Sequence, residues 1–137
     1  MRIWAIIVGL MVLLSPAVAQ DDAPWQATVT GQIEAFRAQD GAAALQFAGE
    51  AFRVQFDGQP EAFYAAIIAS GYEPIVRSRS HSFGEFKAMS AARVLQVVEF
   101  VGPDQGLYQA LYELGDEPGE GWRVLGVVLR REAGVGI

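Results

Sequence analysis

Cysteine is absent from the 137 residues, and histidine occurs once, at position 81. Without cysteine there is no disulfide, so stability has to come from the core. One histidine and no cysteine also leave no zinc-type ligand spacing, and no metal or other cofactor is expected. Basic residues are few: ten Lys and Arg against sixteen Asp and Glu give a formal net charge of -6. That balance argues against nucleic acid and against an anionic membrane surface as partners. Only one long apolar run exists, Ile3–Leu14, and its 12 residues fall short of the roughly 20 needed to span a bilayer. No glycine-rich phosphate loop, dinucleotide fingerprint, nucleophile elbow, internal repeat or low-complexity segment is present.

That apolar run has a different meaning. Met1-Arg2 supplies a positive start, Ser15-Pro16 breaks the run, and Ala17-Val18-Ala19 places small residues where a signal peptidase reads them. The pattern predicts a signal peptide over residues 1–19, cleaved after Ala19, and a periplasmic or secreted product with no stable membrane span. Residues 20–137 then form one α+β domain. Loss of Arg2 leaves nine basic and sixteen acidic residues, a net charge of -7.

Helical signals come first. Asp22 can cap a helix with Pro24 in its first turn, and Trp25, Val29, Ile33 and Phe36 make one helical stripe. Asp40 can cap a shorter helix over Gly41–Ala48. Glu50–Phe56 is ambiguous, because Phe52, Val54 and Phe56 alternate as in a strand over a short run. Gln59-Pro60-Glu61 opens a third helix, closed by Ser70-Gly71. Pro74 is expected to hold Tyr72-Glu73 extended. Strand signals follow over Ile75–Phe83, with a bulge at Gly84 and a continuation over Phe86–Met89, then over Arg93–Val101, Leu107–Leu114 and Trp122–Arg131.

The turns suggest registers. Val101 opposite Leu107 places Val98 opposite Ala110 and Gln96 opposite Tyr112. A seven-residue turn that pairs Leu114 with Trp122 would set Tyr112 opposite Val124, Ala110 opposite Gly126 and Glu113 opposite Arg123. One face is then aromatic and almost uncharged, and should lie against the helices. The other mixes charge with Leu95, Val97, Leu111, Leu125, Val127 and Leu129, and a homodimer through that face is one expectation.

The stretches "GYEPIVRSRSHSFGEF", "RVLQVVEFVGPDQGLYQALYEL" and "GWRVLGVVLRR", preceded by helices and a signal-like start, resemble a family of bacterial exported proteins. It is known only as a domain of unknown function, number four-eight-six-four. Glu120-Gly121 departs from the Asp-Gly expected in the last turn. The resemblance implies a periplasmic setting. The element order is similar to the cystatin-like, or nuclear transport factor 2-like, roll, in which a curved antiparallel sheet wraps N-terminal helices around a cone-shaped pocket. That fold hosts isomerases, hydrolases and pure binding modules, so it does not choose among them.

Chemistry is sparse. Arg77, Arg79 and His81 alternate on one side of the expected first strand, the side of Gln96, Tyr108 and Tyr112. Together these six could hold a small carboxylate or phosphate ligand. The more ordinary reading has the arginines solvated or paired with Glu73, Glu85 and Glu99. His81 lacks a recognisable carboxylate partner, so no catalytic residue is assigned. The leading expectation is a non-catalytic exported domain binding a small ligand or a partner protein. The alternatives are a small cofactor-free enzyme of isomerase or hydrolase type, and a homodimeric accessory subunit.

Overall fold

The computed structural model describes residues 22–132; the expected signal peptide lies outside them. Among the described residues five helices precede four strands: α1 (Pro24–Arg37), α2 (Gly41–Gln46), α3 (Glu50–Gln55), α4 (Pro60–Ala69), α5 (Glu73–Val76), β1 (Ser80–Ser90), β2 (Arg93–Val101), β3 (Leu107–Glu117) and β4 (Gly121–Arg131). The strands form one antiparallel meander in sequence order. The helices cover one of its faces.

The stripe on α1 is the centre of the core. Val29 and Ile33 are fully buried, Phe36 nearly so, and Trp25 packs at the margin. Val29 and Ile33 meet Val98, Phe100, Ala110, Tyr112, Leu114 and Val124 from the sheet. A second cluster joins the helices themselves, with Phe36, Leu45, Phe63 and Val76 at its centre. Ala23 rather than Asp22 occupies the N-cap of α1, without a side-chain bond. Asp40 caps α2 as expected, accepting from the Ala43 N–H at 3.0 Å. The ambiguous stretch after Gly49 is helical.

Two expectations about the strands are corrected. Ile75–Phe83 does not begin the sheet. Pro74 sits in the first turn of α5, where its fixed φ suits a helix and its missing N–H costs nothing. The N–H groups of Ile75 and Val76 both donate to the Tyr72 carbonyl, so Tyr72-Glu73 is not extended. Ile75 and Val76, adjacent in sequence, are both buried by this turn. Strand pairing starts at Ser80 with Val101, and the bulge at Gly84-Glu85 sets two residues against Val97.

The β2–β3 register is the expected one throughout, with Gln96 opposite Tyr112 and Val98 opposite Ala110. The β3–β4 register is not. The turn is only Pro118-Gly119-Glu120, with Glu117 opposite Gly121, and Asp116 rather than Leu114 faces Trp122. Leu125 is then an extra residue between the Leu114–Val124 and Glu113–Gly126 pairs. A single inserted residue reverses the side-chain alternation beyond it. Val127 and Leu129 therefore join the core, while Val128 is 68% exposed on the outer face. Arg123 pairs with Gly115, and Glu113 instead forms its ion pair with Arg93 at 2.6 Å.

Candidate functional site

A cavity of about 400 Å³ opens between the helices and the β3–β4 half of the sheet. Gln32 and Phe36 of α1 form one wall, and Phe52 and Phe56 of α3 another. Phe63 and Ile67 of α4 and Tyr72 and Ile75 at α5 close it from the side. Tyr112, Val124 and Val127 form its floor on the sheet. The β4 bulge is what brings Val127 opposite Tyr112 on the inner face.

The lining is mainly apolar, and none of its sixteen residues carries a charge. Its polar groups are few and differ in how they are held. Tyr72 donates its hydroxyl to the Val127 carbonyl at 2.7 Å, tying the α4–α5 connection to β4. Gln32, 5% exposed, donates its amide N–H to the Ala44 carbonyl at 3.1 Å, so its amide oxygen is left as an acceptor. Tyr112, 1% exposed, contributes a phenol. Burial pushes that phenol upward, helped by neighbouring Tyr72, so it remains protonated.

One wall is lightly built. No residue of α3 is fully buried. The helix is held from outside by Arg53, which pairs with Glu117 at 3.5 Å and with Glu120. Ahead of it, the Gly49 N–H donates to the Val124 carbonyl, and the Val124 N–H to the Phe47 carbonyl.

The six residues proposed from sequence as one site do not converge. Tyr112 alone lines this cavity. Arg77 ends α5, exposed, and pairs with Glu73 at 2.9 Å. Arg79 precedes β1 with an exposed side chain, while its N–H donates to the Val101 carbonyl. Tyr108 lies at the far end of β3, where Arg131 donates to its hydroxyl and to Asp104. That bond, then the Gly106 N–H, holds the Asp104 carboxyl at about 2.

Gln96 is fully buried and structural. Its amide oxygen accepts from Trp25 Nε1 at 2.8 Å and from Gln26 Nε2 at 3.2 Å. Its amide nitrogen donates to the carbonyls of Gly84, Glu85 and Val97. One side chain thus fastens the start of α1 to the β1 bulge.

His81 faces inward, on the opposite side of α1 from the cavity. Arg37 Nη2 lies 3.2 Å from its Nδ1, and Thr30 Oγ1 lies 3.2 Å from its Nε2. Arginine only donates, so Nδ1 accepts and Nε2 carries the proton. Burial first, then the Arg37 charge, lowers the imidazole below its usual value, with Glu34 opposing. Sequence reasoning missed Gln32, Phe52, Phe56 and Tyr72 as cavity residues. The i, i+4 spacing of Phe52 and Phe56 was the available signal.

The family model described as "Domain of unknown function (DUF4864)" matches residues 18–137. No curated protein matches the chain. Among solved structures, a ketosteroid isomerase-like protein from Erwinia carotovora atroseptica SCRI1043 superposes with a TM-score of 0.53 at 11% identity, over 81% of this chain and 95% of its own. A protein from Kribbella flavida DSM 17836 gives 0.41 at 12% identity, over 77% and 84%. With helices laid on a four-stranded antiparallel meander, the fold is an α+β roll of the nuclear transport factor 2-like type.

Proposed function

The chain belongs to the family Domain of unknown function (DUF4864), and from that premise we propose that it is a non-catalytic binding protein holding a small, uncharged, largely apolar molecule in its cavity. The observation that carries this reading is the lining itself. A volume of about 400 Å³ is within the ordinary size of small-molecule sites, and its walls are aromatic and aliphatic with a few fixed polar groups. An anionic ligand would enter a site without a cation, at a steep desolvation cost. Of the groups that serve in acid–base catalysis the lining holds only two phenols, Tyr72, which donates to the Val127 carbonyl, and Tyr112, which burial keeps protonated. Export to the periplasm fits this role. It rests on the residues before Gln20, and the family match begins at residue 18, beside the expected cleavage point.

The neutral fluorophore N-phenylnaphthylamine tests the reading. Its fluorescence should rise on binding to the wild-type protein. Ala66→Trp, which adds an indole to the α4 wall, should abolish the rise without unfolding the domain. No rise in the wild type, or the same rise in the variant, would remove the cavity as the site.

A second reading concerns assembly and is compatible with the first. Val97, Leu111 and Val128 lie directly across from one another on the outer face, and Leu111 and Val128 are exposed. An apolar row on a sheet face fits a homodimer closed by a two-fold axis.

A further inference from the structure

Tyr112 is the least ordinary group in the cavity. It is 1% exposed at the centre of the sheet and lines the cavity; its hydroxyl makes no hydrogen bond within the described residues and, unlike Arg123 Nε, is not sealed off, so it opens onto the cavity. A tyrosine hydroxyl that opens onto a cavity is met there by water or by a bound molecule, so its donor is free for a ligand. Two nearby donors are engaged within the protein, the Tyr72 hydroxyl with Val127 and the Gln32 N–H with Ala44, and the other polar residues of the lining, Gln55 and Ser70, are exposed. Phenylalanine would fill the same space and leave the cavity without this donor.

We propose that Tyr112 is the polar anchor of the cavity, donating its hydroxyl to an uncharged oxygen, carbonyl or alcohol, on an otherwise apolar ligand. This inference rests on the cavity being a binding site. The ligand it describes has one oxygen at the end that meets β3, and a hydrocarbon body against Phe52, Phe56, Phe63 and Ile67. The oxygen is neutral because no cation lines the cavity to balance a charge. Burial keeps the phenol protonated, so it remains a donor throughout the physiological range. The Gln32 amide oxygen offers an acceptor in the same cavity, which an alcohol can use and a ketone cannot.

Three probes sharing one hydrocarbon frame test this: camphor, a ketone; borneol, an alcohol; and bornane, the hydrocarbon. Each is titrated against N-phenylnaphthylamine bound to wild-type protein and to Tyr112→Phe. Camphor and borneol should displace the fluorophore about fivefold to tenfold more effectively than bornane from the wild type, the factor expected of one neutral hydrogen bond. In Tyr112→Phe camphor should fall to the level of bornane, while borneol keeps at most the share contributed by Gln32. Borneol ahead of camphor would assign the natural oxygen to an alcohol that also reaches Gln32; camphor ahead would assign it to a carbonyl. Equal displacement from the wild type would overturn the inference and leave the cavity reading standing. A preference for camphor over bornane that survives in Tyr112→Phe would overturn it too, by placing the donor elsewhere. Failure of all three probes and of the fluorophore would remove the cavity reading itself. The carbon bearing the Tyr112 hydroxyl, labelled with carbon-13, gives an independent readout in the wild type: its resonance should move with camphor and hold still with bornane.

Discussion

His81 shows how a residue that draws attention in a sequence can be absorbed by the fold. It is the only histidine, and such a group invites a catalytic reading. In the structure its Nδ1 accepts from Arg37 and its Nε2 serves Thr30, so the neutral ring is part of the packing behind α1. Burial disfavours the charged ring, and protonation would also set a second cation against the Arg37 guanidinium. The folded-state value is therefore below the usual 6.5. Between the two values the unfolded chain binds more protons than the folded one, so stability is full above about 6.5 and declines as pH falls below it. The expected result is that the melting temperature of the wild type falls relative to His81→Gln between about pH 7.5 and about pH 5. A constant gap between the two proteins over that range would show that the imidazole does not titrate against Arg37. Gln96 teaches the same lesson. Its polarity is spent on Trp25, Gln26 and three strand carbonyls. Nothing in the spacing of these residues distinguishes a buried bracket from a ligand contact, because the distinction lies in partners as far as 71 positions away in sequence.

At the scale of elements, α1 depends on a glycine that helix propensity alone would replace. A methyl group at Gly31 would stand 2.5 Å from Cζ of Phe47, whose ring covers this point at the end of α2. Alanine gains about 1 kcal/mol in a helix interior. Forcing the half-buried Phe47 ring aside costs about 1–3 kcal/mol. Gly31→Ala should therefore destabilise the domain by about 1 kcal/mol and lower its melting temperature by about 3–5 °C. Phe47→Leu in the same chain should recover part of the loss, and a double-mutant cycle in denaturant measures that coupling. Strictly additive effects would mean that α1 does not rest on this ring. Element pairing was legible only where turn chemistry was unambiguous. Gly102 and Gly106 bracket the β2–β3 turn, and the register follows from them. Asp116 and Glu117 have turn-like composition, yet they are strand residues. The Asp116 N–H donates to the Ala92 carbonyl, and Glu117 accepts from the Glu50 N–H and from Arg53. The Leu125 bulge left no mark in composition, and it decides which of Val127 and Val128 is inside.

For the molecule as a whole, the two faces of the sheet divide the work. The inner face was legible as apolar and aromatic, and the roll followed from strands added after helices. A pocket was expected from the resemblance, but its walls were not legible, because they come from four helices whose mutual placement no local pattern encodes. The outer face poses the remaining question of assembly. Val97, Leu111 and Val128 form a cross-strand row bordered by Glu99, Gln109 and Arg130 on one side and by Glu113 with Arg93 on the other. An isologous contact would bury the row against its own copy and leave the flanking charges at the rim, where they remain hydrated. Leu111→Lys combined with Val128→Lys would put two cations at the centre of that contact on each subunit. Both positions are already exposed in the single chain, so the fold itself should change by well under about 1 kcal/mol. The wild type should sediment as a dimer at micromolar concentration and the double variant as a monomer. Far-ultraviolet circular dichroism and N-phenylnaphthylamine binding should be the same in both. A monomeric wild type would discard the outer face as a self-interface. A variant that remains dimeric would move the contact to another surface. Loss of fluorophore binding together with dimerisation would mean that the two faces are coupled through the sheet, with Tyr112 and Leu111 adjacent on β3 as the shortest route between them.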